Sequence, residues 1–429
     1  MLRVILSEIE RMKYSKLFPK SQKIEFKEDL SVNAKYLVKG GFMNQLMAGS
    51  WTLLPLGFVV VEKIKNIVRE ELNKTGAQEL LMPLLHPREI WDTTGRWSDP
   101  EVQKIMYQFK DIHDKEYGLS FTHEEIVMNL LGKFVQSYRD LPVMVYHFST
   151  KFRNEPRAKS GILRAREFMM KDLYSAHVSE EDMYEYYNLV KEVYVKIFER
   201  IGLSVIVTEA SGGVFTKNVT HEFQVLSDSG EDEIIYCPEG DFSQNVEIAK
   251  VKEGKQCDLG HGPLKRAKVI EVGNIFPLGT KYSKDQKVFY TDKDGSQKEI
   301  WFASYGIGPT RVMGALVEVH HDDKGIIWPK TVAPFQAHLL VVSSQKSVVR
   351  TADDIYTKLE ASGVEVLYDD RDVSAGEKFA TADLLGIPHR LVMSEKTGDK
   401  IEFKKRNEDK TELLQFDELI KRLKEETEG

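Results

Sequence analysis

The stretch Thr150–Asp172 reads TKFRNEPRAKSGILRAREFMMKD. Apolar runs flank a turn-like PRAKSG, and the pattern predicts two long strands, VMVYHFSTKFRNE and ILRAREFMMKDLYSAH, around a loop. Residues two apart on a strand face the same way. Arg153 and Glu155 therefore share a face, as do Arg164, Arg166 and Phe168, with Glu167 on the other side. Arginine's planar fork matches phosphate oxygens. A carboxylate can accept from an exocyclic amine, and an aromatic ring can stack on a base. The set suits a nucleotide pocket, and equally a surface hairpin laced by cross-strand ion pairs.

A second stretch, FASYGIGPTRVMGALVEVH, reads as a glycine-bearing turn into a helix. Gly306 and Gly308 permit close backbone approach, and Arg311, about one turn into the helix, can reach a phosphate. No Gly-Lys-Ser/Thr follows, so this is not a Walker loop.

The 429-residue chain is long enough for more than one domain. Its 41% apolar and 30% charged content suit a globular protein with a normal core. Two cysteines, Cys237 and Cys257, cannot make a disulfide framework, which fits a reducing, cytoplasmic setting. No apolar run is long enough to span a membrane. The opening MLRVILSEIERMKYSK reads as neither a signal nor a transit peptide, and Met12 competes with Met1 as the start. A net charge of −7 argues mildly against nucleic-acid binding, but phosphate contacts need only a local patch.

Val60, Ile64, Ile67, Val68 and Leu72 recur at helical spacing up to Gly76, and ELLMPLL follows as an expected short strand. The segment from Lys104 to Tyr138 reads as strand, turn, strand and amphipathic helix. SEEDMYEYYNLVKEVYVKIFERIG predicts a helix with Ser179 as N-cap and Gly202 as C-cap. WPKTVAPFQ looks like a linker, after which HLLVVSS, GVEVLYDDRD, IPHRLVMS and KIEFKKR alternate with helices as a separate α/β domain.

In order along the chain stand the helix and strand ending at Pro83, the F-R-x-E of Phe152–Glu155 and the G-x-G-x-x-R of Gly306–Arg311. This resembles motifs 1, 2 and 3 of a class II aminoacyl-tRNA synthetase. WTLLPLG, FTHEE, TKFRNEPR…REFMMKD, THEFQVLSDSGED, EVGNIFPLGTKYS and SYGIGPTR…GIIWP resemble the bacterial prolyl-tRNA synthetases, from about Met12 to the C-terminus.

The resemblance implies an α+β fold. An antiparallel sheet of six or seven strands flanked by helices would fill residues 1–334, and a mixed α/β anticodon-binding domain residues 335–429. It implies activation of L-proline with ATP and Mg²⁺, transfer to tRNA(Pro), and a homodimer built on motif 1. Arg153 would hold the α-phosphate and the amino-acid carboxylate, and Glu155 would accept from the adenine amine. Phe168 would stack on adenine, with Arg311 on its other face and on the γ-phosphate. Arg164 and Arg166 would be loop contacts, and Gly306 and Gly308 part of the ATP site. Thr122 and Glu124, read as one strand face, would hold the proline nitrogen; His221 resembles a pocket histidine. Alone, THEE reads as a helix N-terminus with acids near its dipole, and a lone histidine as structural. Arg371, Lys378 and Phe379 would read anticodon-loop bases, or form a solvated charged loop. The rivals are a synthetase for threonine, serine or glycine, and a non-catalytic paralogue that binds nucleic acid; such paralogues tend to lose the motif arginines kept here.

Three departures stand out. The span from Phe168 to Arg311 is too short for the large editing domain of many relatives, leaving only a short insert at about 228–268. Cys237-Pro-Glu-Gly and Cys257-Asp-Leu-Gly lack second cysteines, and two sulfurs with His261 fall short of a closed tetrahedral site, so no metal is expected there. Asn274 stands in EVGNIF where relatives commonly have histidine; asparagine keeps hydrogen-bonding capacity but cannot carry charge.

Overall fold

The structure, a computed structural model, describes residues 11–25, 30–158, 160–240 and 242–428. Met1, the competing start, lies outside them. Contacts group the chain into two compact units: Met47–Ser50 with Lys65–Ala315, and Met1–Leu46 with Trp51–Ile64 and Leu316–Gly429.

The larger unit is built on a nine-stranded, mostly antiparallel sheet. Its spatial order is Val219–Leu226, Ile206–Ser211, Ser243–Asn245, Asp232–Tyr236, Lys265–Gly279, Trp301–Ile307, Glu167–His177, Val143–Phe152 and Gln78–Glu79. The long strand Lys265–Gly279 also pairs with Val219–Leu226. Nine strands exceed the expected six or seven because short polar pieces such as Ser243–Asn245 and Gln78–Glu79 join the ladder without an apolar alternation to announce them. ELLMPLL is not one strand. Gln78–Glu79 and Leu85–Pro87 are strands, and Pro83, which has no N–H to donate, lies in the break.

The helix Glu180–Ile201 forms as its sequence predicts. Ser179 Oγ accepts from Asp182 N at 3.2 Å, and Gly202 closes the helix in the left-handed region at φ 98°. Tyr187, Tyr194 and Phe198 pack on Tyr305 and Phe223 of the sheet. Strand alternation then sends the intervening residues to the opposite face, and that face lines the cleft described below.

The hairpin that opened the sequence reading is shorter in its strands than expected. They stop at Phe152 and resume at Glu167, and Arg153 N donates to Arg166 O at 2.8 Å across the gap. Pro156 and the left-handed Gly161 (φ 64°) lie in the intervening loop. Arg153, Glu155, Arg164 and Arg166 are thus loop residues, placed by loop conformation and not by two-residue alternation.

The second unit holds a six-stranded sheet ordered Arg11–Lys13, Val366–Asp369, Ala337–Val342, His389–Ser394, Ile401–Lys405 and Thr411–Leu414. Its first four strands pair in parallel, and the last two pairings in the order are antiparallel. The expected linker WPKTVAPFQ has no regular structure but is not exposed: Trp328, Val332, Ala333 and Phe335 are all buried. Apolar residues between and beside the two prolines explain this, since each gains from leaving water.

Candidate active site

Two cavities open on the cleft face of the larger unit, of about 330 Å³ and about 250 Å³. Both are lined by Arg153, Phe168, Glu271 and Arg311, which stand at their junction. The smaller lobe adds Glu155, Arg164, Ser229, Glu231 and Asp232. The larger adds Thr122, Glu124, Asp172, Glu222, Asn274, Gly306 and Gly308.

At the junction the Arg153 guanidinium lies over the Phe168 ring, 5.3 Å from its centroid. Its buried Nε finds no hydrogen-bond partner among the described residues. Burial, and then the positive Arg311 nearby, push its pKa down. Arg311 is fixed by Leu163 O at 2.9 Å, Glu271 O at 3.1 Å and Glu271 Oε2 at 3.2 Å. A Cβ on Gly306 would meet nothing closer than Met170 Sδ at 3.7 Å, so the room beside this glycine opens toward the larger lobe.

In the smaller lobe Glu155 pairs with Arg164 Nε at 2.9 Å, and Arg164 also binds Glu231. Arg166 lines neither lobe. Its Nε donates to Glu155 O at 2.9 Å and its Nη1 to Ala48 O at 3.3 Å, so it braces the loop carrying Glu155.

In the larger lobe Thr122 and Glu124 meet at a helix start, not on a strand. Glu124 begins the helix Glu124–Phe134, and Thr122 Oγ1 donates to Glu124 Oε2 at 2.6 Å. Burial raises the Glu124 pKa, against the pull of Arg96. Arg96 sits 3.5 Å from Glu124 but binds Glu125 at 2.9 Å, enclosed by the rings of Trp91, Phe121, Phe215 and Tyr282. The nearby Asp172 is already neutralised. Burial would raise its pKa, but Lys151 at 2.6 Å and His147 at 3.3 Å hold it well below the usual carboxylate range. Of the two, Glu124 is the carboxylate whose charge is less offset by a close cation, so a cationic ligand would favour its ionised form.

His221 is not in the cleft. Its Nδ1 lies 2.8 Å from the Tyr187 hydroxyl on the helix side of the sheet. Alternation puts its neighbour Glu222 in the lobe instead, a residue the sequence reading missed. Asn274 Nδ2 reaches Glu271 Oε1 at 3.2 Å and Glu222 Oε1 at 3.4 Å, while its buried Oδ1 has no hydrogen-bond partner among the described residues. Burial, then the Glu271 charge, push the Glu222 pKa up to about 8.

The expected anticodon residues are less available than their types imply. Lys378 is buried, with Nζ donating to Val341 O at 2.7 Å and Asp369 O at 3.1 Å. Arg371 forks onto Asp369 at 2.8 and 2.6 Å and lies 4.2 Å from the Tyr14 ring centroid. Phe379 is half-buried beneath Arg390.

A mainly antiparallel sheet carrying this hairpin, this glycine turn and a two-lobed cleft defines the class of the protein. The family model "tRNA synthetase class II core domain (G, H, P, S and T)" matches residues 107–320, and "Anticodon binding domain" matches residues 332–426. This is a class II aminoacyl-tRNA synthetase. Within that class, the chain belongs to the family of proline–tRNA ligases. A proline–tRNA ligase of Wolbachia sp. subsp. Drosophila simulans is 38% identical, over 91% of this chain and 94% of the relative. That of Sulfurihydrogenibium sp. is 34% identical, over 90% and 95%. The second alignment runs to 536 positions, more than this chain has residues, so that relative carries sequence this chain lacks. The crystal structure of prolyl-tRNA synthetase from Cryptosporidium parvum, complexed with halofuginone and AMPPNP, shares the fold at TM-score 0.76 and 17% identity. The match covers 92% of this chain and 77% of that one.

Proposed function

We propose that the smaller lobe takes ATP and the larger takes L-proline, with Arg153 between the α-phosphate and the amino-acid carboxylate. The observation that carries this reading is the buried, unpartnered Arg153 Nε at the junction of the lobes. Phe168 and Arg311 flank the space for adenine, and Glu155 accepts from its amine. Glu124, oriented by Thr122, accepts from the two N–H groups of the prolinium ring. In the related Cryptosporidium parvum enzyme, solved structures hold L-proline and AMP, or AMPPNP, which supports the same ligand classes here.

The chemistry needs no general base, because the carboxylate of proline is ionised at neutral pH. Its oxygen attacks the α-phosphorus, the bond to pyrophosphate breaks, and prolyl-adenylate forms. The ribose 3′-hydroxyl of tRNA(Pro) then attacks the prolyl carbonyl and AMP leaves. Arg153 and Arg311 position the phosphates and offset their charge. The donors beside them, Glu271, Asp232 and Glu222, are all oxygens, which fits Mg²⁺ held by one or two carboxylates and the phosphates. When bound, Mg²⁺ supplies charge neutralisation on the β- and γ-phosphates.

Exposed Leu81 (82%) and Leu85 (50%), on either side of Pro83, support a homodimer through motif 1. Among the described residues no helix is long and apolar enough to cross a membrane, compatible with work in the cytoplasm. In the anticodon-binding domain we assign stacking on loop bases to Phe379. Arg371 is assigned to contacts near it, and Lys378 to supporting the strand ends. A panel of amino acids in ATP–pyrophosphate exchange tests the reading: proline alone should drive exchange, and faster exchange with threonine, serine or glycine would refute it.

A further inference from the structure

The short insert carries two turns of the same construction. In the first, Cys237 N donates to Phe242 O at 2.8 Å, and Gly240 N donates back to Cys237 O at 2.9 Å. In the second, Cys257 N donates to Gly262 O at 2.8 Å, and Gly260 N donates back to Cys257 O at 2.9 Å. Gly240 and Gly260 both take the left-handed region, at φ 90° and 82°. Each turn thus presents one sulfur from its first position, and the second adds His261 directly after its glycine.

The two turns face each other. Both sulfurs and a ring nitrogen of His261 lie within 4.8 Å of one another, and Cys237 Sγ stands 3.9 Å from His261 Nδ1. Zinc binds sulfur at about 2.3 Å and imidazole at about 2.0 Å in a tetrahedron, which separates such ligands by roughly 3.5 Å. The ligand atoms, within 4.8 Å of one another, would have to draw together to enclose an ion, by a few tenths of an ångström for Cys237 Sγ and His261 Nδ1 at 3.9 Å. Both cysteines are buried against Ile235 and Leu264, while His261 is exposed. None of the three lines the active-site cleft.

We propose that Cys237, Cys257 and His261 form a three-ligand zinc site whose fourth position is open to solvent. Soft thiolates with an imidazole select Zn²⁺ over the hard cations that suit the carboxylates of the cleft. On binding, each thiol loses its proton as its sulfur–metal bond forms, so two protons are released; the imidazole binds through a neutral ring nitrogen. The ion ties together two turns whose own apolar core is small, a common role for a metal in a small subdomain.

The full-length chain, purified without chelator from zinc-supplemented medium, should hold one zinc per chain by elemental analysis. After removal of zinc, Co²⁺ should give a thiolate-to-metal charge-transfer band and d–d bands of tetrahedral intensity. Cys257→Ser should remove most of the charge-transfer intensity. Should that variant misfold, His261→Ala changes only an exposed side chain. It should weaken metal binding by more than the roughly 10–100-fold that losing an outer-shell partner costs. Trace zinc with no cobalt charge-transfer band would overturn the proposal. So would a Cys237–Cys257 disulfide in the unreduced protein, or unchanged cobalt affinity in His261→Ala.

Discussion

Thr122 and Glu124 meet across the first residues of a helix, the hydroxyl donating to Glu124 Oε2 at 2.6 Å in a buried site. Arg96, the nearest cation, spends its closest contacts on Glu125. Glu124 is therefore oriented by one neighbour and left underneutralised by the other, which suits it to a ligand that brings a positive charge.

Glu124→Gln should raise the KM for proline and leave that for ATP nearly unchanged. A hydrogen bond to a charged group is worth roughly 1.5–3 kcal/mol, on the order of 10–150-fold in affinity. Steady-state ATP–pyrophosphate exchange separates the two KM values. Equal increases in both would show that Glu124 supports the whole cleft instead of the amino-acid lobe.

Arg153→Ala should lower kcat for adenylate formation by roughly 10²–10³-fold, the scale seen when one preorganised donor to developing charge is removed. Arg153→Lys should recover little, because a point charge cannot bridge phosphate and carboxylate as a fork does. Full activity in the lysine variant would remove the bridging role.

The neighbours His221 and Glu222 should behave oppositely. His221→Ala loses a contact with Tyr187 behind the sheet and should cost stability without moving either KM. Glu222→Gln bears on stability through pH. The folded pKa of Glu222 is raised from 4.5 to about 8, so it favours the folded state below pH 4.5, and that contribution is lost as pH rises through about 8. The melting temperature of Glu222→Gln relative to the parent should therefore climb between pH 5 and pH 8.5, without ligands. A difference that stays constant over that range would mean the carboxyl is not held protonated.

How much of this was legible in the sequence follows from range and periodicity. Arg153, Phe168 and Arg311 stood out because charged and aromatic groups interrupt otherwise apolar patterns. The side on which Glu222 lies was legible too: Phe223 is buried in the core, so in THEF the histidine shares its side and the glutamate faces the cleft. Lys378 was legible in the same way. It shares the buried helix face of Thr381, Ala382 and Leu385, at spacings of three, four and seven. Arg96 was not legible, since the rings and acid around it come from segments far apart in the chain. The sequence offered His261 beside the two cysteines as a set too small for a closed metal site; that their ligand atoms lie within 4.8 Å of one another depends on two turns meeting in space.

A proline-sized lobe cannot strongly reject the smaller alanine, because lost apolar contact is worth only about 1–3 kcal/mol. With only a short insert between Phe168 and Arg311, the purified enzyme should form some alanyl-tRNA(Pro) and leave it intact. Clearance of preformed alanyl-tRNA by this chain, faster than spontaneous hydrolysis, would reveal an editing site elsewhere.

The most direct measurement is a crystal structure of the enzyme with a non-hydrolysable prolyl-adenylate analogue. The account predicts the adenine between Phe168 and Arg311, the phosphate on Arg153, and the pyrrolidine nitrogen within hydrogen-bond reach of Glu124. A pyrrolidine ring lodged away from Thr122 and Glu124, or a phosphate that leaves Arg153 unpartnered, would contradict it.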